Sequence, residues 1–399
     1  MYFWGRKKVE KGKFFCNFFY QGQYKELIVS KIERTEKSNL LIINFLCFIK
    51  IKTQKIQNMR KRYILSVILL ALTMSGFAQQ DAQFTLFQWA TPYYNAGAIG
   101  EQSNTLCFTG IFRQQYAGWN DTYKDENGNT SKFNTSPQQI YLSMESYLRK
   151  LHGGLGVTFI KDKIGYFNNV GVKLGYSFKF RIPTGSIGIG VQVQMLSQKL
   201  DATHFHPTQE NDPLLNGMSG KESWLDLDFS AGVYYKAERW NAGIGVTQIA
   251  EKIRLSGDKQ SYKMARNIYF HGGYTWVLPW DPSWELIPQA LIKTDLATAQ
   301  FDLMLLARYN GILWGGLSYR IQDAVSVLFG ARPFFNSSNN YLRGLEMGLG
   351  YSFTTSKLGY KPDRSYGDIE IMLRYCFDIY KEEVFSGYGS TRNIYKNVY

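Results

Sequence analysis

Ile187-Gly188-Ile189-Gly190-Val191-Gln192-Val193-Gln194-Met195 is apolar at every odd position and Gly or Gln at every even one. Successive side chains of a strand point to opposite faces, so this stretch sets one face against an apolar medium and the other against a polar one. The period returns downstream. Leu225, Leu227, Phe229, Ala231, Val233 and Tyr235 alternate with Asp226, Asp228, Ser230, Gly232, Tyr234 and Lys236. Near the end, Ile369, Ile371, Leu373, Tyr375 and Phe377 alternate with Asp368, Glu370, Met372, Arg374 and Cys376. These runs are too long for a small soluble sandwich. No apolar run of about 18 residues follows residue 78, so no spanning helix is expected there.

Segments of about 9–13 residues, taken with the even-number rule for bacterial barrels, give about 14 strands. They lie near residues 105–116, 139–150, 152–160, 170–181, 184–196, 224–236, 239–250, 264–277, 284–293, 299–309, 312–321, 324–331, 342–354 and 368–379. The expected fold is all-β, a transmembrane antiparallel β-barrel with both termini periplasmic. Odd-numbered connections then face outward and are long, while even-numbered ones are tight. Connections 117–138, 161–169, 197–223 and 251–263 have 22, 9, 27 and 13 residues, with short turns between them. Asn310-Gly311 favours a type I′ hairpin. Against the pattern, 332–341 is long where a short turn is expected, and Pro288 removes a ladder hydrogen bond. Tyr234, Tyr235, Trp240, Tyr274, Trp276, Trp280, Tyr309, Trp314, Tyr351 and Phe353 fall near strand ends, where a barrel carries aromatic girdles and a soluble sandwich would carry core or edge packing.

Composition agrees. Of 399 residues, 16% are aromatic, 37 are Gly and only 10 are Pro, which suits many strands joined by turns. A 45% apolar share excludes wholesale disorder, and 4 Cys exclude a disulfide scaffold. The net charge of +14 is uneven. Residues 1–58 carry 12 Lys/Arg against 4 Asp/Glu, while residues 79–399 carry 31 against 28. The body is nearly neutral, so nucleic acid is not an expected partner.

From Met59 the chain reads as a secretion signal. Arg60, Lys61 and Arg62 form the basic region, 63–73 the apolar region, and Gly76-Phe77-Ala78 a small-residue cleavage site. The expected organisation is 59–78 signal peptide, 79–104 periplasmic N-terminal segment, 105–379 outer-membrane barrel and 380–399 C-terminal tail. Residues 1–58 read as translated upstream sequence, the other reading being a second membrane anchor. After cleavage Cys107 and Cys376 remain, either paired or as two thiols.

Catalytic chemistry is not legible. His204-Phe205-His206 puts two imidazoles near Asp201 but lacks further ligands of matching geometry. No Gly-x-Ser-x-Gly elbow occurs. Gly153-Gly154-Leu155-Gly156, Gly188-Ile189-Gly190, Gly243-Ile244-Gly245 and Gly348-Leu349-Gly350 open no helix, so they do not read as phosphate loops. Paired Gly on one strand face instead permit tight curvature or close packing against a plug. No catalytic, cofactor-binding or metal residue is assigned, and partner-binding residues are left open.

Several blocks carry a family resemblance. Gln80-Asp81-Ala82-Gln83-Phe84-Thr85-Leu86-Phe87, then Pro92-Tyr93-Tyr94-Asn95-Ala96-Gly97-Ala98-Ile99-Gly100, resemble the opening of PorP/SprF proteins. Phe112-Arg113-Gln114-Gln115-Tyr116-Ala117-Gly118-Trp119, the Gly153–Gly156 run and Gly367-Asp368-Ile369-Glu370-Ile371-Met372-Leu373-Arg374-Tyr375-Cys376-Phe377 are similar to later family elements. Ala96-Gly97, Tyr116 and Asp368 depart from the family pattern, where Pro-Ala, Trp and His are usual. The resemblance implies an outer-membrane component of the type IX secretion system of Bacteroidetes. It implies outer-membrane lipid, secretion-ring components and a secreted or surface-attached substrate protein as partners, and a docking role. The alternative from the residues themselves is a small-solute porin whose lumen is lined by Gln192, Gln194, Asp226 and Asp228; a soluble secreted β-protein is a weaker third reading.

Overall fold

Alternation carries through the chain as fourteen barrel strands: β1 Thr105–Gln114, β2 Gln138–Leu148, β3 Gly153–Ile164, β4 Phe167–Ile182, β5 Gly185–Asp201, β6 Lys221–Lys236, β7 Trp240–Thr247, β8 Asn267–Tyr274, β9 Trp284–Thr294, β10 Ala299–Tyr309, β11 Leu313–Arg320, β12 Ala324–Ala331, β13 Leu345–Thr354 and β14 Asp368–Asp378. The structure is a computed structural model that describes residues 81–379 apart from 103–104, 125–129, 202–220, 252, 258–264, 338–341 and 357–365. The expectations for 1–58, 59–78, 380–399, His204 and His206 lie outside the described residues.

Each strand pairs antiparallel with the next, and β14 returns to β1 in register from Thr105 opposite Asp378 to Gln114 opposite Ile369. Closure matters because lipid cannot satisfy the N–H and C=O groups of a bare sheet edge. Cys107 and Cys376 face each other in this seam and form a disulfide, which resolves the choice left open by the sequence.

The faces are inverted relative to a soluble protein. Outward-pointing Val191 and Phe329 are 60% and 63% exposed, whereas Arg113 and Lys173 on the inner face are completely buried. Aromatics collect at both rims: Tyr235, Trp240, Tyr274, Trp276, Trp284 and Tyr309 at the end that holds the start of β1 and the end of β14, and Tyr319, Tyr351 and Phe353 at the other. Two girdle expectations need correction. Tyr234 and Trp314 occupy inward positions of the alternation and are buried in the lumen, where each stacks on another ring.

The expected loop at 161–169 is also corrected. Strands β3 and β4 run on past the apolar belt and meet in a two-residue turn at Gly165-Tyr166, with Gly165 at φ +58°. Asp162, Lys163, Asn168 and Asn169 are polar, and past the apolar belt a strand tolerates polar residues on both faces. Asn310 and Gly311 take the successive positive φ values, 51° and 67°, that the dipeptide favours. Pro288 sits in β9 in the gap between two paired stretches on that side, Gly273 opposite Gln289 and Trp276 opposite Leu286, where its missing donor is not called on. Strands β4 to β6 have 16 or 17 residues against 8 in β7, so one wall stands taller. Its upper edge on β6 is taken by a short strand, Ile253–Gly257.

Candidate functional site

Residues 81–100 lie inside the barrel. The periplasmic segment expected over 79–104 is thus corrected: its described part fills the lumen. The physical reason is composition, because Phe84, Leu86, Phe87, Trp89, Tyr93 and Tyr94 would expose a large apolar surface in water and are all buried here. The segment makes three short turns, Phe87–Ala90, Thr91–Tyr94 and Ala96–Ala98, with Pro92 in the first turn of the second, where no helical donor is needed. Turns this short do not hold themselves, so the wall must hold them.

One group of wall contacts is ionic. Glu370 on β14 accepts the backbone N–H of Thr85 at 2.7 Å on one carboxylate oxygen and that of Leu86 at 2.8 Å on the other. Arg113 on β1 pairs with Asp368 at 2.7 Å, lies 3.8 Å from Glu370 and donates to the Gln83 carbonyl. Two lysines act as main-chain clamps. Lys293 donates to the Asp81 carbonyl at 2.8 Å, and Lys173 donates to the Tyr93 carbonyl at 2.9 Å while lying 4.0 Å over the Tyr93 ring. The Asp81 carboxylate accepts the hydroxyls of Tyr93 and Tyr269. Burial, with that carboxylate alongside, pushes the Tyr93 phenol well above its ordinary value.

A second group is steric. A Cβ on Gly190, Gly154 or Gly245 would run into the carbonyls of Ala96, Ile99 or Tyr94, and one on Gly156 would lie 2.8 Å from the Ile99 side chain. In the plug, a Cβ on Gly97 would come within 2.7 Å of the Gly188 carbonyl and 2.9 Å of that of Gly232. The Gly-x-Gly pairs therefore make a flat floor on β3, β5 and β7, with Gly232 of β6 completing it. Of the two roles open to them, close packing against a plug is the one present. Gly348 and Gly330 similarly leave room for Trp314, which stacks on plug residue Trp89 at 4.7 Å.

A third group reads the last plug turn. Asn95 accepts from Gly97 N–H at 2.9 Å, which orients its amide, and donates to the Val233 carbonyl at 3.0 Å and to His271 Nε2 at 2.8 Å. His271 therefore carries its proton on Nδ1. Ser177 and Lys179 both donate to the Gly97 carbonyl, and Glu145 accepts from Gly100 N–H at 2.8 Å. Beyond it, Glu101 pairs with Lys236 at 2.7 Å. Burial raises the Glu101 carboxyl, but Lys236 with Lys179 and Arg374 outweighs that and holds it below the usual range.

The four residues expected to line a channel do face inward, all buried. Gln192 donates to the plug carbonyl of Pro92 at 3.0 Å, and Asp228 accepts from the backbone N–H groups of Phe229 and Ala250. Among the described residues no group of three or more His, Cys, Asp or Glu is placed to hold a metal ion. Wall groups on β1, β2, β4, β5, β9 and β14 address backbone atoms of residues 81–100, so the arrangement grips a peptide. The sequence signal for this was available in two halves, the apolar cluster in 84–94 and the inward Gly pairs on the alternate strands β3, β5 and β7, which only the barrel register brings together.

The blocks that carried the family resemblance meet here: 81–100 is the plug, Arg113, Asp368 and Glu370 anchor it, and Gly154 and Gly156 floor it. The family model for type IX secretion system membrane protein PorP/SprF matches residues 76–375. No curated protein matches the chain. Similar solved structures include the CymD monoaromatic hydrocarbon channel, at 12% identity over 76% of this chain and 95% of that one with a TM-score of 0.44. The P. putida toluene transporter TodX is similar at 11% identity over 72% and 93%, TM-score 0.42. The Acinetobacter baumannii outer membrane protein Omp33 is similar at 8% identity over 69% and 100%, TM-score 0.36.

Proposed function

Since the chain belongs to the PorP/SprF family of type IX secretion system membrane proteins, and is thus an outer-membrane barrel of that system, we propose that it works as a closed docking body and not as a conduit. Its outer loops engage an exported or surface-attached protein, and its periplasmic end, where both strand termini lie, links to the secretion or gliding ring. The observation that carries this reading is the occupied lumen: residues 81–100 are fixed by wall groups that bond main-chain atoms, so the barrel interior is committed to its own chain. A solute-passing barrel would need that segment to leave, breaking the buried contacts of Arg113, Lys173, Lys293 and Glu370 together. Such contacts are costly to break one partner at a time.

The test is site-directed photocrosslinking in the native outer membrane. Probes go at the even-numbered turns, for instance at Thr184 and Glu238, and at the outer turn Gly165-Tyr166. Docking predicts adducts to ring components from the first set and to an exported protein from the second. Adducts to neither would overturn it. The same outer turn, tagged and reached by antibody on intact cells, checks the orientation by itself.

A further inference from the structure

The outward face of the barrel is almost free of charge, and the exceptions are clustered. Alternation fixes which residues point out: Ile160 and Asp162 are buried on β3, as are Gln198 and Leu200 on β5, so Lys161, Lys163 and Lys199 face the membrane side. Lys221 and Asp201 join them at the top of β6 and β5, opposite each other and 3.7 Å apart. Across the outward positions of all fourteen strands, as described, these five are the charged side chains, four Lys against one Asp. They occupy one patch. Lys163 pairs in register with Asn168, Asn168 with Lys199, and Lys199 with Ser223.

Position along the strands gives the patch its meaning. On β5 the outward residues below Lys199 are Ser197, then Met195, Val193 and Val191, the last three 42–60% exposed. On β4, Val172 and Leu174 continue the same surface. At about 3.3 Å per residue, Lys199 stands about 13 Å above Met195, and Lys161 about 7 Å above Phe159. The lysines therefore stand just past the apolar belt, at the depth of lipid headgroups. A cleft of about 520 Å³ opens there, lined by Lys163, Lys199 and Lys221 together with Asn168, Thr135 and Glu222. Thr135, more than nine-tenths buried, has its hydroxyl unpartnered, and the Asn168 amide oxygen is likewise unpartnered.

We propose that this patch is a binding site for a phosphorylated glycolipid of the outer leaflet, its phosphates on Lys163, Lys199 and Lys221 and its acyl chains along the apolar faces of β4 and β5. A net positive cluster selects an anion, and its continuity with the lipid-facing belt selects an amphiphile over a soluble acid. The hydroxyl and amide groups of the cleft suit a sugar headgroup. Depth in the outer leaflet rests on the orientation proposed above, and the tag at Gly165-Tyr166 tests that orientation separately.

The experiment is native mass spectrometry of the purified barrel in detergent, with bis-phosphorylated lipid A added and then its dephosphorylated form. The wild-type chain should retain the phosphorylated lipid at least tenfold better than the Lys163→Gln/Lys199→Gln/Lys221→Gln variant. The triple Lys→Arg variant should retain it as wild type does. Heat-modifiability on a gel shows that each variant is folded. Equal retention by the Gln variant, or of the dephosphorylated lipid, would overturn the site. Displacement by millimolar inorganic phosphate would reassign it to a free anion, and displacement by an acidic peptide to a protein partner; either result also overturns it.

Discussion

Glu370 is the residue on which the plug hangs most directly. It is 1% exposed, accepts two plug amides and neighbours Arg113, so its charge is compensated without water. Glu370→Gln keeps the shape but removes the charge and one of the two acceptors. Breaking one side of a buried ionic set costs about 3–5 kcal/mol, and the Thr85 and Leu86 amides should exchange with deuterium faster while the barrel strands stay protected. Unchanged exchange at those amides would show that the carboxylate is not the anchor. The glycine floor makes a sharper test. Gly190→Ala puts a methyl into the Ala96 carbonyl and should loosen the segment by about 1–3 kcal/mol, seen as protease cleavage within 84–98. Gly315→Ala points outward, where the nearest atom is 3.4 Å away, and should change nothing measurable. Cleavage in both variants, or in neither, would contradict the packing role.

At the level of elements, period-2 alternation was enough to read all fourteen strands, because lipid keeps the outward positions apolar, while inward ones mix polar residues with apolar ones such as Ile111, Leu306 and Leu328 that pack inside. It failed where that constraint ends. Above the membrane, Asp162 and Asn168 no longer report a face, so β3 and β4 looked shorter than they are. Aromaticity alone also could not tell Trp314 from Trp284; only strand parity does, and it sends one to the lumen and the other to the rim. The disulfide belongs to this scale, since it ties the first strand to the last across 269 residues of sequence. Removing it by Cys107→Ser and Cys376→Ser together should lower stability by roughly 2–5 kcal/mol, as expected for a long closed loop. The readout is the temperature at which the heat-modified gel band appears, compared with wild type with and without reductant. The fold itself should persist, because nine further residue pairs hold the β1–β14 seam. A double variant as heat-resistant as the oxidised wild type would show that the bond adds nothing.

For the whole molecule, the plug was the part least legible in advance. Residues 81–100 show no helical or strand period, and their short turns exist only against the wall, so local pattern carries no trace of where they go. Their apolar content was the physical hint, in a segment otherwise expected to sit in water. With the segment in place, buried Arg113, Glu145, Lys173, Lys293 and Glu370 each serve a plug carbonyl or amide, and the outside offers lipid a nearly uncharged surface. Such a barrel presents its ends, not its bore. Planar-bilayer conductance of the purified wild-type protein tests this most directly: a closed docking body gives little steady current, with openings appearing in Gly190→Ala, whereas a steady, ion-selective current through the wild-type chain would contradict it and favour a solute channel.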